Sequence, residues 1–512
     1  MERKRPNILL FVSDHLRKDA MGHMGNESAC TPNLDDMVCQ DAVSFSGAFC
    51  QNPVCVPSRC SFLSGHYPHV GGFRTMHHLQ SEKDVNLLMT LKKNGYHIYF
   101  GGKNDVFKED VPLGLYCDYR SDAYKEMACL AKGERLPEGY ARILKQYTKE
   151  QAMEAERIKE RARREPDGKY YYSLYQGSQP KDNPLAAGYV GAEDAQIADA
   201  VRYIRDYKGK APLCVYLSLI LPHPPYTAWK EDYAAIDRRK VKPAVRLTSG
   251  QLEKKPAIIR GMRRNHRLYQ WSEEELLDFK LTYAAMVRHI DRNFGKVMDS
   301  LREKEIYDDT MVFLFSDHGD YAGDYEIAEI NANTFEDVLT NVPLIIKPQN
   351  GVPIKSGCRH SLVELVDIPR TVAELAGISL LEDDCGRSLV HLLSQEEEHR
   401  DFVIAEGGRL EHEIQCMDGN HTKDNPYWAR TSEQMKMPQH TKAVMIRDRR
   451  YKYVCRLYEQ DEFYDLERDP CECENQINNR EYADAVRKCK DRLLYKMIET
   501  CDYVPRKTDR RS

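Results

Sequence analysis

Four apolar runs in this chain each end in a polar residue of a type that does chemistry, and this repetition constrains the fold more than any other feature. Asn7–Ser13 runs into Asp14, and Tyr96–Phe100 leads through Gly101 and Gly102 to Lys103. Leu213–Leu221 ends at Pro222-His223, and Thr310–Ser316 ends at Asp317-His318-Gly319. The runs are β-rich and continuous rather than alternating, the pattern of strands buried on both faces in a parallel sheet between helices. Such sheets bind ligands beyond the carboxyl ends of their strands. Asp14, Lys103, His223, Asp317 and His318 are therefore expected to converge. Helical segments separate the runs: Asn86–Lys93, closing near Gly95, and the longer amphipathic stretches Glu193–Tyr207 and Glu273–Leu301. The expected fold class is α/β, a mostly parallel sheet flanked by helices.

A chain of 512 residues exceeds one compact core, and two domains are expected. The pattern changes after about residue 385. Ala443–Ile446, Lys452–Leu457 and Glu462–Tyr464 read as short strands, and Glu481–Thr500 as a helix. Residues 1–385 are thus expected to form the catalytic domain, and 386–512 a smaller α+β domain with an antiparallel sheet. The charged stretch Ser121–Lys169 reads as a solvated surface helix or insertion, and the basic stretch Arg238–Arg267 as an exposed loop with a short helix.

The 75 basic and 80 acidic residues leave a formal net charge of −5, which carries no bulk signal for nucleic acid. No stretch approaches the roughly 20 apolar residues of a membrane span, and Ile8–Val12 is too short for a signal-peptide core. The sixteen cysteines are scattered, and Cys471-Glu472-Cys473 has no second pair at zinc spacing. A reducing, cytoplasmic setting is expected.

The string Cys55-Val56-Pro57-Ser58-Arg59, followed by Cys60-Ser61-Phe62-Leu63-Ser64-Gly65, resembles the signature of the type I sulfatases, whose cysteine is oxidised to formylglycine. Further matches follow in the family's order. Pro6-Asn7-Ile8-Leu9-Leu10 with Asp14 is similar to its opening strand and first metal ligand, and Thr31-Pro32-Asn33-Leu34-Asp35 to the next segment. Asp317-His318-Gly319-Asp320 resembles the second metal motif, Val342–Ile346 the strand after it, and Phe463-Tyr464-Asp465-Leu466 with Asp469-Pro470 the carboxy-terminal signature. The resemblance implies an alkaline-phosphatase-like fold and hydrolysis of sulfate esters of a small molecule or saccharide. A hydrated aldehyde explains the modification: one hydroxyl attacks sulfur, and the other collapses to the aldehyde and expels sulfate.

The resemblance further implies a divalent cation, Ca²⁺ by default, held by Asp14, His15, Asp317 and His318 with the modified Cys55. Two carboxylates and an imidazole suit Ca²⁺, Mg²⁺ or Mn²⁺. Arg59 would favour an oxyanion, Lys103 would neutralise a nonbridging oxygen, and His223 would protonate the leaving alcohol. Three departures stand out. His15 occupies the place of a second aspartate, Asp105 that of a histidine, and Ile330 that of a sulfate-binding lysine. Ser13-Asp14-His15-Leu16-Arg17-Lys18-Asp19 resembles the phosphonate monoester hydrolase branch nearly as well, which keeps phosphonate monoesters and phosphodiesters as the alternative substrates. The missing lysine also admits a catalytically weakened, sulfate-recognising binding protein. The implied partners are the ester and a formylglycine-generating maturation enzyme, with neither nucleic acid nor membrane; a homo-oligomer stays open.

Overall fold

The computed structural model describes residues 5–164, 189–419, 421–423, 425 and 427–502, with backbone alone for 158–164. The first nine strands are β1 (Asn7–Ser13), β2 (Val43–Phe49), β3 (His97–Gly102), β4 (Tyr119–Ser121), β5 (Tyr140–Ala141), β6 (Leu213–Ser218), β7 (Thr310–Ser316), β8 (Leu344–Lys347) and β9 (Gly357–Glu364). They form one sheet in the order β5–β4–β3–β6–β1–β7–β8–β2–β9. All neighbours run parallel except at β8, which is antiparallel to both β7 and β2.

Both faces are covered, as the continuous apolar runs require. Along β1, Leu9 and Phe11 enter one core, and Ile8, Leu10 and Val12 enter the other; the period of two splits one run between two faces. The Glu273–Glu303 helix starts at a capping box of Ser272 and Glu275 and lays Phe279, Met286, Ile290, Phe294, Val297 and Leu301 into the first core. Phe294 meets Phe11 edge-on, with ring centroids 5.4 Å apart.

The remaining strands, β10 (Val403–Gly407), β11 (Ala443–Arg447), β12 (Tyr451–Arg456) and β13 (Glu462–Asp465), form an antiparallel meander. The Ala483–Thr500 helix covers it through Cys489 and Leu493, against Ile404, Ile446, Tyr453 and Phe463.

Two expectations need correction. The Arg238–Arg267 stretch is not simply exposed: Ala257–His266 is a helix that buries Ile258, Ile259 and Met262. Its arginines hid the apolar stripe. Within Ser121–Lys169, Ala123, Tyr124, Met127, Ala152 and Ala155 also reach the core; residues 165–169 lie outside the described residues. Strands β2 and β9 were not foreseen, because Ser44, Ser46 and Gly47 interrupt the first and Arg359 and His360 the second.

Candidate active site

Sheet register builds the site. Ser13 pairs with Ser316 across β1–β7, and Ser218 of β6 faces Val12 on one side and Gly102 on the other. The strands therefore stop nearly level, and the residues that follow, Asp14, Lys103 and Asp317, emerge side by side. Gly102 makes the turn: its φ is 93°, and a Cβ there would sit 2.0 Å from the Ser218 carbonyl oxygen. Beyond β6 the apolar run continues as loop, where the Leu221 carbonyl accepts from Asp14 N at 3.3 Å and His223 N donates to Ile220 O at 2.8 Å.

Cys55 begins the Cys55–Ser64 helix, which is buried from Cys55 through Leu63. Val54 provides no side-chain cap, so the first-turn N–H groups and the positive end of the helix dipole are left facing this rim, a setting that favours an anion. Ser58 Oγ ties the helix to β7 by donating to the Asp317 carbonyl at 2.5 Å.

Around Cys55 the donor atoms are close. Its Sγ lies 3.4 Å from Asp14 Oδ1 and 3.2 Å from His318 Nε2. His318 Nε2 is 3.4 Å and His15 Nε2 3.7 Å from Asp14 Oδ1. One ligand atom each from Asp14, His15, Cys55 and His318 lie within 4.8 Å of one another, all four residues buried. His318 Nδ1 donates to the Gly319 carbonyl at 2.9 Å, which leaves Nε2 a lone-pair donor facing the group. His15 does the same through a carboxylate: its Nδ1 bonds Asp320, while its Nε2 is buried without a hydrogen-bond partner. Tyr226 OH at 2.9 Å and Ala322 N at 2.6 Å hold Asp320 in place. An orphaned, buried imidazole nitrogen beside a carboxylate and a second imidazole fits a divalent cation.

Asp317 stands differently from the other four expected ligands. Its Oδ2 accepts from Arg59 Nε at 2.7 Å, and its Oδ1 lies 3.7 Å from His318 Nε2. Arg59 is fully buried; it also bonds Ser218 Oγ and reaches Asp14 Oδ2 at 3.2 Å. Lys103 Nζ touches Asp14 at 2.9 Å and Asp105 at 2.8 Å. His223 closes the rim, its ring centroid 4.5 Å from that of His15.

The electrostatics follow from burial and charge. Burial pushes the Asp14 carboxyl up, yet Lys103 and Arg59 hold it well below the usual carboxylate range. Asp317 is pushed up by burial, which Arg59 offsets only in part while Asp14 adds to it. Burial drives both His15 and His223 well down, aided by His318 for the first and by His15 for the second. Both rings are neutral and able to accept. Asp320 rises to about 7, again mainly through burial.

A family model described as Sulfatase matches residues 6–378. The chain belongs to the sulfatase family. It is 25% identical over 511 residues to an arylsulfatase of Clostridium perfringens, covering 97% of this chain and 95% of that protein. It is 24% identical over 505 residues to a choline-sulfatase of Rhizobium meliloti, covering 94% and 84%. Among solved structures, the phosphonate monoester hydrolase of Agrobacterium radiobacter superposes with a TM-score of 0.69 at 20% identity, covering 97% and 96%. That is a likeness of fold, and it includes the small antiparallel sheet.

In this sulfatase the structure brings together Asp14, His15, Cys55, Arg59, Lys103, His223, Asp317 and His318, every site residue expected from the sequence. Ile330 lies apart from them, in an apolar cluster with Val54, Ile258, Tyr321 and Tyr325. Sequence reasoning missed Ser218, which Arg59 bonds, and Tyr226, which holds Asp320. Asp320 stood in a quoted motif without a role, and only its contact with His15 shows one.

Proposed function

We propose that this sulfatase hydrolyses sulfate esters of a small molecule or saccharide, with a formylglycine made from Cys55 as nucleophile and a divalent cation at Asp14, His15, Asp317 and His318. The observation that carries the reading is the packing of Cys55 Sγ within 3.4 Å of Asp14 and His318, at a buried helix amino terminus in a chain of this family. The hydrated aldehyde supplies two hydroxyls on one carbon, one to attack and one to release. The chain's own residues do the rest. In this reading Arg59 and the helix amino terminus favour the oxyanion and Lys103 neutralises a nonbridging oxygen, while His223, neutral as it stands, takes up a proton from the attacking hydroxyl before passing one to the departing alcohol. Ca²⁺ is the family's default ion, while the imidazole of His15, a borderline donor, favours Mn²⁺ as the alternative. The reading requires a maturation enzyme that oxidises Cys55, and sixteen free thiols support a cytoplasmic setting.

Phosphonate monoesters and phosphodiesters are the second reading, favoured by His15 in place of an aspartate. Both readings concern singly charged esters. A phosphate monoester brings nearly two charges, and no lysine replaces Ile330 to meet the second.

The test is a release assay on matched aryl sulfate, phosphonate and phosphate esters, together with choline and saccharide sulfates, on protein shown by peptide mass to carry formylglycine. Sulfate esters are expected to lead. A phosphate monoester as the best substrate, or full turnover by protein retaining unmodified Cys55, overturns the proposal.

A further inference from the structure

The site is short of cations for an anionic substrate. Lys103 is shared between Asp14 and Asp105, and Arg59 between Asp14 and Asp317. The loop after Asp320 adds none, since Ile330 is buried among apolar side chains and the nearby Asp324 is held by Arg17 and Lys280.

One cation approaches from the small-sheet side. Arg430 lies on the Trp428–Gln434 helix, between β10 and β11. Its guanidinium carbon is 5.4 Å from the Tyr427 ring centroid. That ring is 6.3 Å from His223, which in turn packs on His15. Arg430 Nε is buried without a hydrogen-bond partner. Among the described residues its guanidinium makes neither an ion pair nor a side-chain hydrogen bond, unlike Arg59. Burial disfavours its charge, but the Glu329 carboxylate lies near enough to favour it. Its field reaches His15 as well. An arginine one aromatic ring away from His223, with no committed partner, is placed for an anion held at this rim.

We infer that Arg430 is the specificity-determining cation of this site, taking an oxygen of the substrate's own ester anion in the role that the lysine absent at Ile330 leaves open. The inference rests on the ester-hydrolase reading above. Its planar fork suits a tetrahedral oxyanion, and charge-assisted hydrogen bonds are the stronger kind. A further consequence is that the small-sheet part of the chain completes the anion pocket.

Inorganic sulfate is the probe, in two measurements on the full chain: the rise in melting temperature with sulfate, and competitive inhibition of 4-nitrophenyl sulfate hydrolysis. Loss of one charge-assisted contact should raise the sulfate inhibition constant and KM of Arg430→Gln about 10- to 100-fold. Arg430→Lys should fall between it and wild type. Lys436→Gln, which removes a half-exposed lysine from the buried Glu433, itself still held by Arg264, should match wild type in the inhibition constant and KM. If Arg430→Gln does not fold, Arg430→Lys decides. An inhibition constant and KM unchanged in Arg430→Gln overturn the inference, as does Arg430→Lys equal to wild type when the glutamine variant is lost. Should wild type hydrolyse no sulfate ester, the function reading fails on its own. The thermal shift still decides Arg430, because a shift kept in Arg430→Gln, or absent from wild type, overturns its role.

Discussion

Two buried assemblies of charge in this protein look alike in composition and differ in how they are compensated. The first is the active site. The second joins the large sheet's loops to the small sheet. There Lys255 meets Glu336 at 2.9 Å and Tyr464 OH at 3.1 Å. Lys452 meets Asp337 at 2.7 Å and also Glu472, and Arg456 meets Glu462 at 2.6 Å. Glu336, Asp337 and Glu462 each meet a cation, while Glu472 shares Lys452 with Asp337 and is raised by burial to about 7. Burial alone would raise Glu336, but Lys255 brings it to about 2, and Arg447 with Lys452 hold Asp337 well down. In the active site, two cations serve three carboxylates, and Asp317 is pushed up rather than down. A compensated assembly holds structure, whereas an under-compensated one is built to receive a ligand.

The largest expected effect is on catalysis. Cys55→Ser, in a host unable to oxidise serine, and Asp317→Asn should each lower kcat/KM by about a thousandfold or more. Melting temperature should stay within a few degrees, because Asp317→Asn relieves repulsion with Asp14. An Asp317→Asn protein that unfolds would erase the contrast between the two assemblies.

Next comes the compensated assembly. Lys452→Met leaves Asp337 and Glu472 short of a cation and should destabilise the fold by about 3–5 kcal/mol in denaturant unfolding. KM of the folded fraction should not move. A change in KM without loss of stability would show that this network belongs to the site.

A third measurement uses another compensated cluster. His289 bridges Asp194 and Asp232 at 2.9 Å each, with Arg288, Arg292 and Lys296 on the same carboxylates. Burial opposes its charge, yet the two acids raise it to about 9 from 6.5. A raised folded-state value gives stability that is complete below pH 6.5 and lost as pH rises through 9. The loss should be on the order of 3 kcal/mol. His289→Gln should remove that part of the pH dependence; an identical slope in both proteins would refute the pairing.

The smallest shift in stability sharpens the contrast from the other side. Chelation should stop turnover and lower the melting temperature by a few degrees, because emptying the group at Asp14 restores carboxylate repulsion. Re-addition of Ca²⁺ and of Mn²⁺ then ranks the two ions. Indifference of both activity and melting temperature to chelator would remove the metal.

Much of this was legible along the chain. Uninterrupted β-rich runs can be buried only on both faces, so Asn7–Ser13, Leu213–Ser218 and Thr310–Ser316 announce a parallel sheet, and the polar residue closing each run must lie at its rim. The Cys55–Arg59 and Asp317–Asp320 strings carry their chemistry in local spacing, which needs no knowledge of the fold. Arginines and serines masked the rest: the buried stripe of Ala257–His266, and strand β2. Only the tertiary structure could join His15 to Asp320, turn Asp317 toward Arg59, pair Lys452 with Asp337 and Glu472, or set Arg430 one ring away from His223. Local sequence determines which side chains can bury and which can react, since those are properties of single residues and their immediate periodicity. Which charges find a partner depends on register and on loop paths between distant segments, and that set of contacts exists only once the chain has folded.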